Sequence, residues 1–292
     1  MNIAVVGCGS WADYTHLPCI IKYGANILAC ADINEQNARS LSEKYNIPAY
    51  FTDYNEMLGQ ARPDAVICLV SESAVAEVAS DILRAYPVML EKPPGKSVSE
   101  TQAVLRAAQS SGQPHMVAFN RRFAPAYLEL KKNIEAARVK YINYKFHRIK
   151  RHESFFETTA IHAVDAVRFL AGDDFRRVEI KYQEMPELGE KVANYFIYFE
   201  FAGGICATAE ILVSTGELSE GCEVHTDGAV HRAALPLADK SRHYISQGFY
   251  NEHEHFYECL KRGEEPGNGA DTALQSVAVC DALRNRQGSL EF

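Results

Sequence analysis

Short, continuous apolar runs separated by amphipathic stretches fill the first 120 residues. Ile3–Val6, Ile27–Ala31, Ala65–Val70, Val88–Leu90 and Met116–Phe119 are apolar throughout, the pattern of strands buried on both faces of a parallel sheet. Helical spacing falls between them, near 15–23, 34–45, 74–85 and 97–110. Ser97 and Glu100 have capping-box spacing at the start of the last of these. Strand–helix alternation predicts right-handed βαβ units and a doubly wound α/β domain over residues 1–120.

The pattern changes after Asn120. A helix is predicted over about 124–136, a strand over Val139–Lys150, and a second helix over about 156–171, ending at Gly172. Three strand-like runs follow, Val178–Gln183, Val192–Phe201 and Ile205–Val213, with Ala202-Gly203-Gly204 predicting a hairpin between the last two. Further short β segments lie near 221–236, and two closing helices, near 250–262 and 271–285, flank the Gly263–Gly269 loop. Residues 121–292 thus read as an α+β domain on a largely antiparallel open sheet. With so few helices to cover it, one apolar sheet face should stay bare and be buried in a homodimer or homotetramer.

Composition narrows the class. The formal charge of −8 over 292 residues leaves no basic excess for broad nucleic-acid binding. No run approaches the ~18 apolar residues of a membrane span, and Met1–Gly7 lacks the basic and long apolar regions of a signal peptide. The eight cysteines form no CxxC pair. A reduced, cytoplasmic protein is expected.

Gly7-Cys8-Gly9-Ser10-Trp11-Ala12 fits G-x-G-x-x-G/A directly after the first strand and before a helix. In that setting Gly7 permits the tight turn, Gly9 lets a pyrophosphate approach the backbone, and Ala12 permits close helix–strand packing. Ser10 and Trp11 then stand at the helix N-terminus that receives the phosphates. Asp32 closes the second strand, where a carboxylate can accept hydrogen bonds from ribose hydroxyls. The following Ile33-Asn34 offers no arginine for a 2′-phosphate, so NAD is expected over NADP. The bland alternative is that Asp32 only caps the helix beginning near Asn34.

Glu91-Lys92-Pro93 follows the strand Val88–Leu90, at the carboxyl edge where doubly wound sheets bind ligands. A lysine there can exchange a proton with a substrate hydroxyl as hydride leaves the same carbon. Gly7-x-Gly9-x-x-Ala12, Asp32, Glu91-Lys92-Pro93, Asn120-Arg121-Arg122-Phe123 and the helix with His162 and Asp165 together resemble the glucose-fructose oxidoreductase, inositol dehydrogenase and MocA family over essentially the whole chain. The resemblance implies a Rossmann domain and an α/β domain whose open sheet often forms an oligomer interface. It also implies NAD(P)-dependent oxidation or reduction at a sugar or cyclitol carbon, with Lys92 as catalytic lysine. Ser71, Glu91 and Lys92 join the glycine loop and Asp32 as candidate cofactor contacts.

Thr158, His162, Asp165 and Phe169 share one helical face. His162 is the second catalytic candidate, and Asp165 is expected to bond backbone or to orient His162. Family dehydrogenases carry an aspartate four residues before the histidine, where this chain has Thr158. Ser71–Ala76 also lacks the proline and histidine usual after the fourth strand. Thr158, Arg121, Arg148 and His152 are candidates for binding substrate, which is expected to be anionic if two of the basic residues near the end of the long strand point inward. One of Arg121 and Arg122 is expected to anchor the link between domains. His253-Glu254-His255 does not put both imidazoles on one helical face, and no metal site is expected. Two other functions fit the same residues: a non-catalytic NAD- and sugar-binding regulator, and an NAD-assisted lyase or glycosidase without net redox change.

Overall fold

The structure is a computed structural model and describes residues 1–135, 137–153, 156–237 and 243–292. These fall into two compact units, Met1–Phe119 with Phe249–Leu274, and Asn120–Gly248 with Gln275–Phe292. The chain leaves the first unit beside the expected boundary at 120. Residues 249–274, expected in the second domain, belong to the first unit instead, a return that no local periodicity announces.

In the first unit, strands β1 (Asn2–Val6), β2 (Asn26–Ala31), β3 (Ala49–Phe51), β4 (Ala65–Cys68), β5 (Val88–Leu90) and β6 (His115–Val117) form a parallel sheet in the order β3-β2-β1-β4-β5-β6. The helices are α1 (Leu17–Tyr23), entered through a π-helical stretch Ala12–His16, α2 (Glu35–Tyr45), α3 (Tyr54–Ala61), α4 (Val75–Ile82) and α5 (Val98–Ser111). Asn34, Asp53 and Ser97 cap α2, α3 and α5 by accepting from backbone N–H groups two or three residues on. The strand order reverses at β1, so the crevice beyond β1 and β4 is where such a sheet receives a ligand. The sequence pattern did not announce β3 or α3; three residues are too few to show a period.

The second unit opens with a 3-10 turn, Asn120–Phe123, followed by α6 (Pro125–Ile134), β7 (Val139–His147), α7 (Glu157–Ala171), β8 (Phe175–Glu184), β9 (Ala193–Phe201), β10 (Cys206–Leu212), β11 (Ser219–Thr226), β12 (Val230–Ala234) and the short α8 (His243–Ser246). Along the chain then come α9 (Phe249–Arg262), which belongs to the first unit, α10 (Ala270–Arg284), whose residues from Gln275 belong to the second, and β13 (Ser289–Glu291). Residue 136, where the first helix of this domain was expected to end, lies outside the described residues. The seven strands run β12-β11-β7-β10-β9-β8-β13, and every neighbouring pair is antiparallel except β7 with β10.

Alternation along this sheet sorts its faces. Ile142, Tyr144, Phe146, Ile197 and Phe199 are buried in one core with Ala160, Val164 and Val167 of α7, each large side chain contributing ~1.5–3 kcal/mol by leaving water. The intervening positions carry Tyr141, Asn143, Lys145, Phe196, Tyr198, Glu200, Glu210 and Glu223. This corrects the expectation of an apolar bare face. The opposite face mixes aromatic and charged side chains, because β7, β9, β10 and β11 alternate with polar residues rather than running apolar. Among the described residues no helix is long and apolar enough to cross a membrane.

Candidate functional site

The loop after β1 is shaped by its two glycines. Gly7 sits at φ +96°, and a Cβ there would lie 2.6 Å from the Leu69 carbonyl carbon and oxygen. Its N–H donates to Ala31 at 2.8 Å, which ties the turn to β2. A Cβ on Gly9 would meet nothing within 4 Å. Gly7 is therefore required by the fold, whereas Gly9 keeps a surface clear. Both line a cavity of about 310 Å³ together with Asp32, Ile33, Tyr54 and Ser71. Asp32 accepts from Cys8 N–H at 2.7 Å and from Asn34 N–H at 2.8 Å. Helix α2 is capped by Asn34, so Asp32 is not merely a cap; its carboxylate braces the glycine loop from the end of β2. These residues fit a dinucleotide: backbone without a Cβ where a phosphate approaches, and a carboxylate at the ribose end.

The cavity gathers Gly7, Gly9, Asp32 and Ser71 of the expected cofactor residues. Ser10, Trp11, Ala12, Glu91 and Lys92 are not among its lining, whereas Thr52 and Tyr54, which the sequence reading missed, are. Ala12 is buried, in keeping with a packing role. Trp11 and Glu91 engage each other, Trp11 Nε1–H donating to Glu91 Oε1 at 3.0 Å. Glu91 Oε1 also lies 2.9 Å from His16 Nε2, and Glu91 Oε2 accepts the Lys92 N–H at 3.2 Å. Burial pushes the Glu91 carboxyl up. The hydrogen bond from His16, the Lys92 ammonium and the Trp11 N–H outweigh it, and the carboxyl lies below its ordinary range.

Behind Glu91 the contacts continue inward. His16 Nδ1 lies 2.9 Å from His253 Nε2, and His253 Nδ1 lies 2.9 Å from Tyr257 Oη. His16, His253 and Tyr257 are fully buried. The sequence carried no signal for this pairing, since His16 and His253 stand 237 residues apart. His255 turns elsewhere, to the Pro266 carbonyl at 2.7 Å.

In the second unit, α7 places Thr158, His162 and Asp165 on one face, with His162 and Asp165 buried. Asp165 accepts from Arg122 Nε at 2.9 Å and Nη2 at 2.6 Å. Arg121 donates from Nε and Nη2 to the two Glu220 oxygens at 2.9 and 3.0 Å, and Arg148 Nη2 donates to Glu220 Oε2. Tyr144 donates its hydroxyl to Glu220 Oε1 at 2.8 Å. Burial pushes the Glu220 carboxyl up, but the two guanidinium charges and their hydrogen bonds bring it down to about 2. This corrects the assignment of Arg121 and Arg148 to substrate: both are buried around Glu220, and a charge already paired this way cannot be lent to a ligand without leaving its partner stranded. Arg121 and Arg122 both pair with carboxylates of the second unit. His152 is exposed, with Nδ1 3.2 Å from the Leu188 carbonyl.

Residues 1–119 match the family model GFO_IDH_MocA, described as an oxidoreductase family with an NAD-binding Rossmann fold. The chain is 26% identical over 252 residues to an inositol 2-dehydrogenase of Salmonella paratyphi B, covering 81% of this chain and 74% of that protein. It is 25% identical over 305 residues to the scyllo-inositol 2-dehydrogenase (NAD(+)) of Bacillus subtilis, covering 91% and 88%. In fold it is similar to myo-inositol dehydrogenase of Lactobacillus casei, solved in complex with NAD(H) and myo-inositol, at a TM-score of 0.87 and 16% identity over 100% of this chain and 96% of that one. Residues 1–119 thus carry the NAD-binding Rossmann domain described by the GFO/IDH/MocA oxidoreductase family model.

Proposed function

We propose that this protein is an NAD-dependent dehydrogenase or reductase acting at a hydroxyl-bearing carbon of a sugar, cyclitol or sugar acid. The observation that carries the cofactor half is the cavity beyond β1. Asp32 is its one charged lining residue among the described residues, and no lysine or arginine joins it. A free ribose 2′-hydroxyl can donate to that carboxylate, whereas a 2′-phosphate would meet a like charge with no cation to offset it. Gly7, Gly9, Asp32 and Ser71 would hold the dinucleotide, and NAD, when bound, supplies the two-electron acceptor.

Lys92 handles the substrate proton. In its neutral form it accepts the hydroxyl proton of the carbon being oxidised, and in its ammonium form it returns that proton to the carbonyl. His162 is the second proton-handling group, and the Thr158 hydroxyl serves as a hydrogen-bond partner to substrate. With Arg121 and Arg148 neutralised by Glu220, two of the cations expected to recruit an anion are withdrawn. A neutral polyol is therefore favoured over a carboxylate or phosphate ester, in line with the inositol dehydrogenases among its relatives. The protein is further proposed to assemble as a homo-oligomer in the cytoplasm.

The test is a panel of cyclitols, sugars and sugar acids with NAD, read by NADH absorbance. Net NADH formed with a cyclitol or sugar supports the reading. Product without net NADH overturns it in favour of NAD-assisted elimination or glycoside cleavage. Tight NAD binding without turnover of any compound overturns it in favour of a binding protein.

A further inference from the structure

The buried contacts behind Glu91 can be given a direction. Tyr257 Oη has one hydrogen-bonding partner among the described residues, His253 Nδ1. A buried phenol that leaves its O–H without an acceptor is penalised, because the group has lost its water and gained nothing in return. Tyr257 therefore donates and His253 Nδ1 accepts. A neutral imidazole that accepts at one nitrogen donates at the other, so His253 Nε2–H points to His16 Nδ1. The same rule carried one ring further makes His16 Nε2–H donate to Glu91. Burial first, and then the charge that His16 would bring, hold the His253 imidazole well below its ordinary range, which agrees with a neutral ring. Glu91 thus receives three N–H donors, from His16, Trp11 and the Lys92 backbone. None of these contacts can accept a proton from Glu91, the pattern of a carboxylate and not of a carboxylic acid.

We infer that Tyr257, His253 and His16 form a one-way hydrogen-bonded chain that commits Glu91 to the ionised state beside Lys92, and that His16 and His253 are positioning residues for that lysine. The inference rests on the reading of Lys92 as the proton-handling group. The chain fastens the strand end bearing Lys92 to the helix behind the glycine loop, through His16 and Trp11, and to α9. A fixed anion next in sequence to the lysine favours its ammonium form, the form that returns a proton to a carbonyl. It also accounts for residues 249–274 belonging to the nucleotide unit: α9 supplies the blind end that decides the direction.

The direct test is ¹⁵N nuclear magnetic resonance of the imidazoles in the intact protein at neutral pH, which needs no substrate and no variant. Both His16 and His253 are expected protonated at Nε2 and bare at Nδ1. An imidazolium at either residue, or the Nδ1–H form of either, overturns the inference. The second test compares His253→Gln with His253→Leu. A glutamine amide can donate to His16 and accept from Tyr257, preserving the direction; leucine fills the space and does neither. Turnover should fall roughly 10–100-fold in His253→Leu, the scale of a small misplacement of a reacting group, with His253→Gln recovering at least about tenfold of it and NAD affinity alike in both. Equal turnover in the two variants would show that the site needs only packing and would sink the positioning role. Lys92→Ala tests the reading beneath it separately: full activity there removes the lysine's role while leaving the imidazole tautomers to decide the chain.

Discussion

Gly7 and Gly9 lie two residues apart in one loop, and the same substitution at each should break different things. Gly7→Ala introduces a Cβ 2.6 Å from the Leu69 carbonyl and 2.9 Å from Val70 N, on a residue at φ +96°. The left-handed backbone costs ~1–2 kcal/mol for an L-residue, and forcing an extra carbon against backbone costs ~1–3 kcal/mol more. At roughly 2–4 °C per kcal/mol for a domain of this size, Tm should fall by roughly 4–20 °C. Gly9→Ala meets nothing within 4 Å, so its Tm should stay within about 2 °C of the parent, inside the range of a surface substitution. Its methyl group occupies the surface that a pyrophosphate must approach, and NADH affinity should drop roughly 10–100-fold, or ~1.4–2.8 kcal/mol. Thermal unfolding followed by circular dichroism gives the first quantity, and titration of NADH fluorescence the second. A Gly9→Ala protein that binds NADH as tightly as the parent refutes the placement of the dinucleotide over this loop. A Gly7→Ala protein with unchanged Tm refutes the steric account of the turn.

Removing the charge at Asp32 with Asp32→Asn should weaken NADH binding about tenfold, the loss of charged hydrogen bonds to ribose, and narrow the gap to NADPH; parallel titrations with both cofactors read it, and tighter binding of NADPH by the unmodified protein would reverse the assignment. Lys92→Ala should lower turnover by about 10²–10⁴ with little change in NAD affinity, checked by steady-state kinetics on whichever polyol yields NADH. Glu220 has its carboxyl depressed to about 2, below its ordinary value of about 4.3, so its contribution to stability is full above the unfolded pKa and is lost as pH falls from there toward 2. Urea unfolding across that range should therefore show Glu220→Gln destabilised by ~3–5 kcal/mol near neutrality, with a shallower acid dependence than the parent; equal stability of the two at pH 7 would mean the buried ion pairs carry nothing. The aromatic side chains on the open sheet face should be covered by a second copy of the chain, giving a dimer or tetramer by light scattering at micromolar concentration, and a monomeric mass there counts against it.

The nucleotide half was legible because its signals are local. A strand buried on both faces is an apolar run, a turn that needs φ > 0 shows a glycine, and a carboxylate at the end of β2 is one letter in a fixed place. The helices and most strands of the second half were legible for the same reason, through their periods of 3.6 and two. The short β3 holds too few residues to show a period, and the character of the open sheet face is set by the alternate residues of β7, β9, β10 and β11 and not by the number of helices available to cover it.

Side-chain partnership was out of reach, because it depends on which distant segments share a surface. Arg121 and Arg148 read alike as free cations until Glu220, 99 and 72 residues away, was seen between them, and a cation's availability is set by its neighbour and not by its own identity. His253 looked like part of a failed metal cluster with His255 until α9 was seen to belong to the first unit and to set its Nε2 against His16. Composition and spacing alone determined that this chain would build a dinucleotide fold with a lysine at its sheet edge. Only the tertiary structure decided which charges remain open to a ligand and which are locked in the interior, since burial and pairing, unlike strand and helix, have no period along the chain.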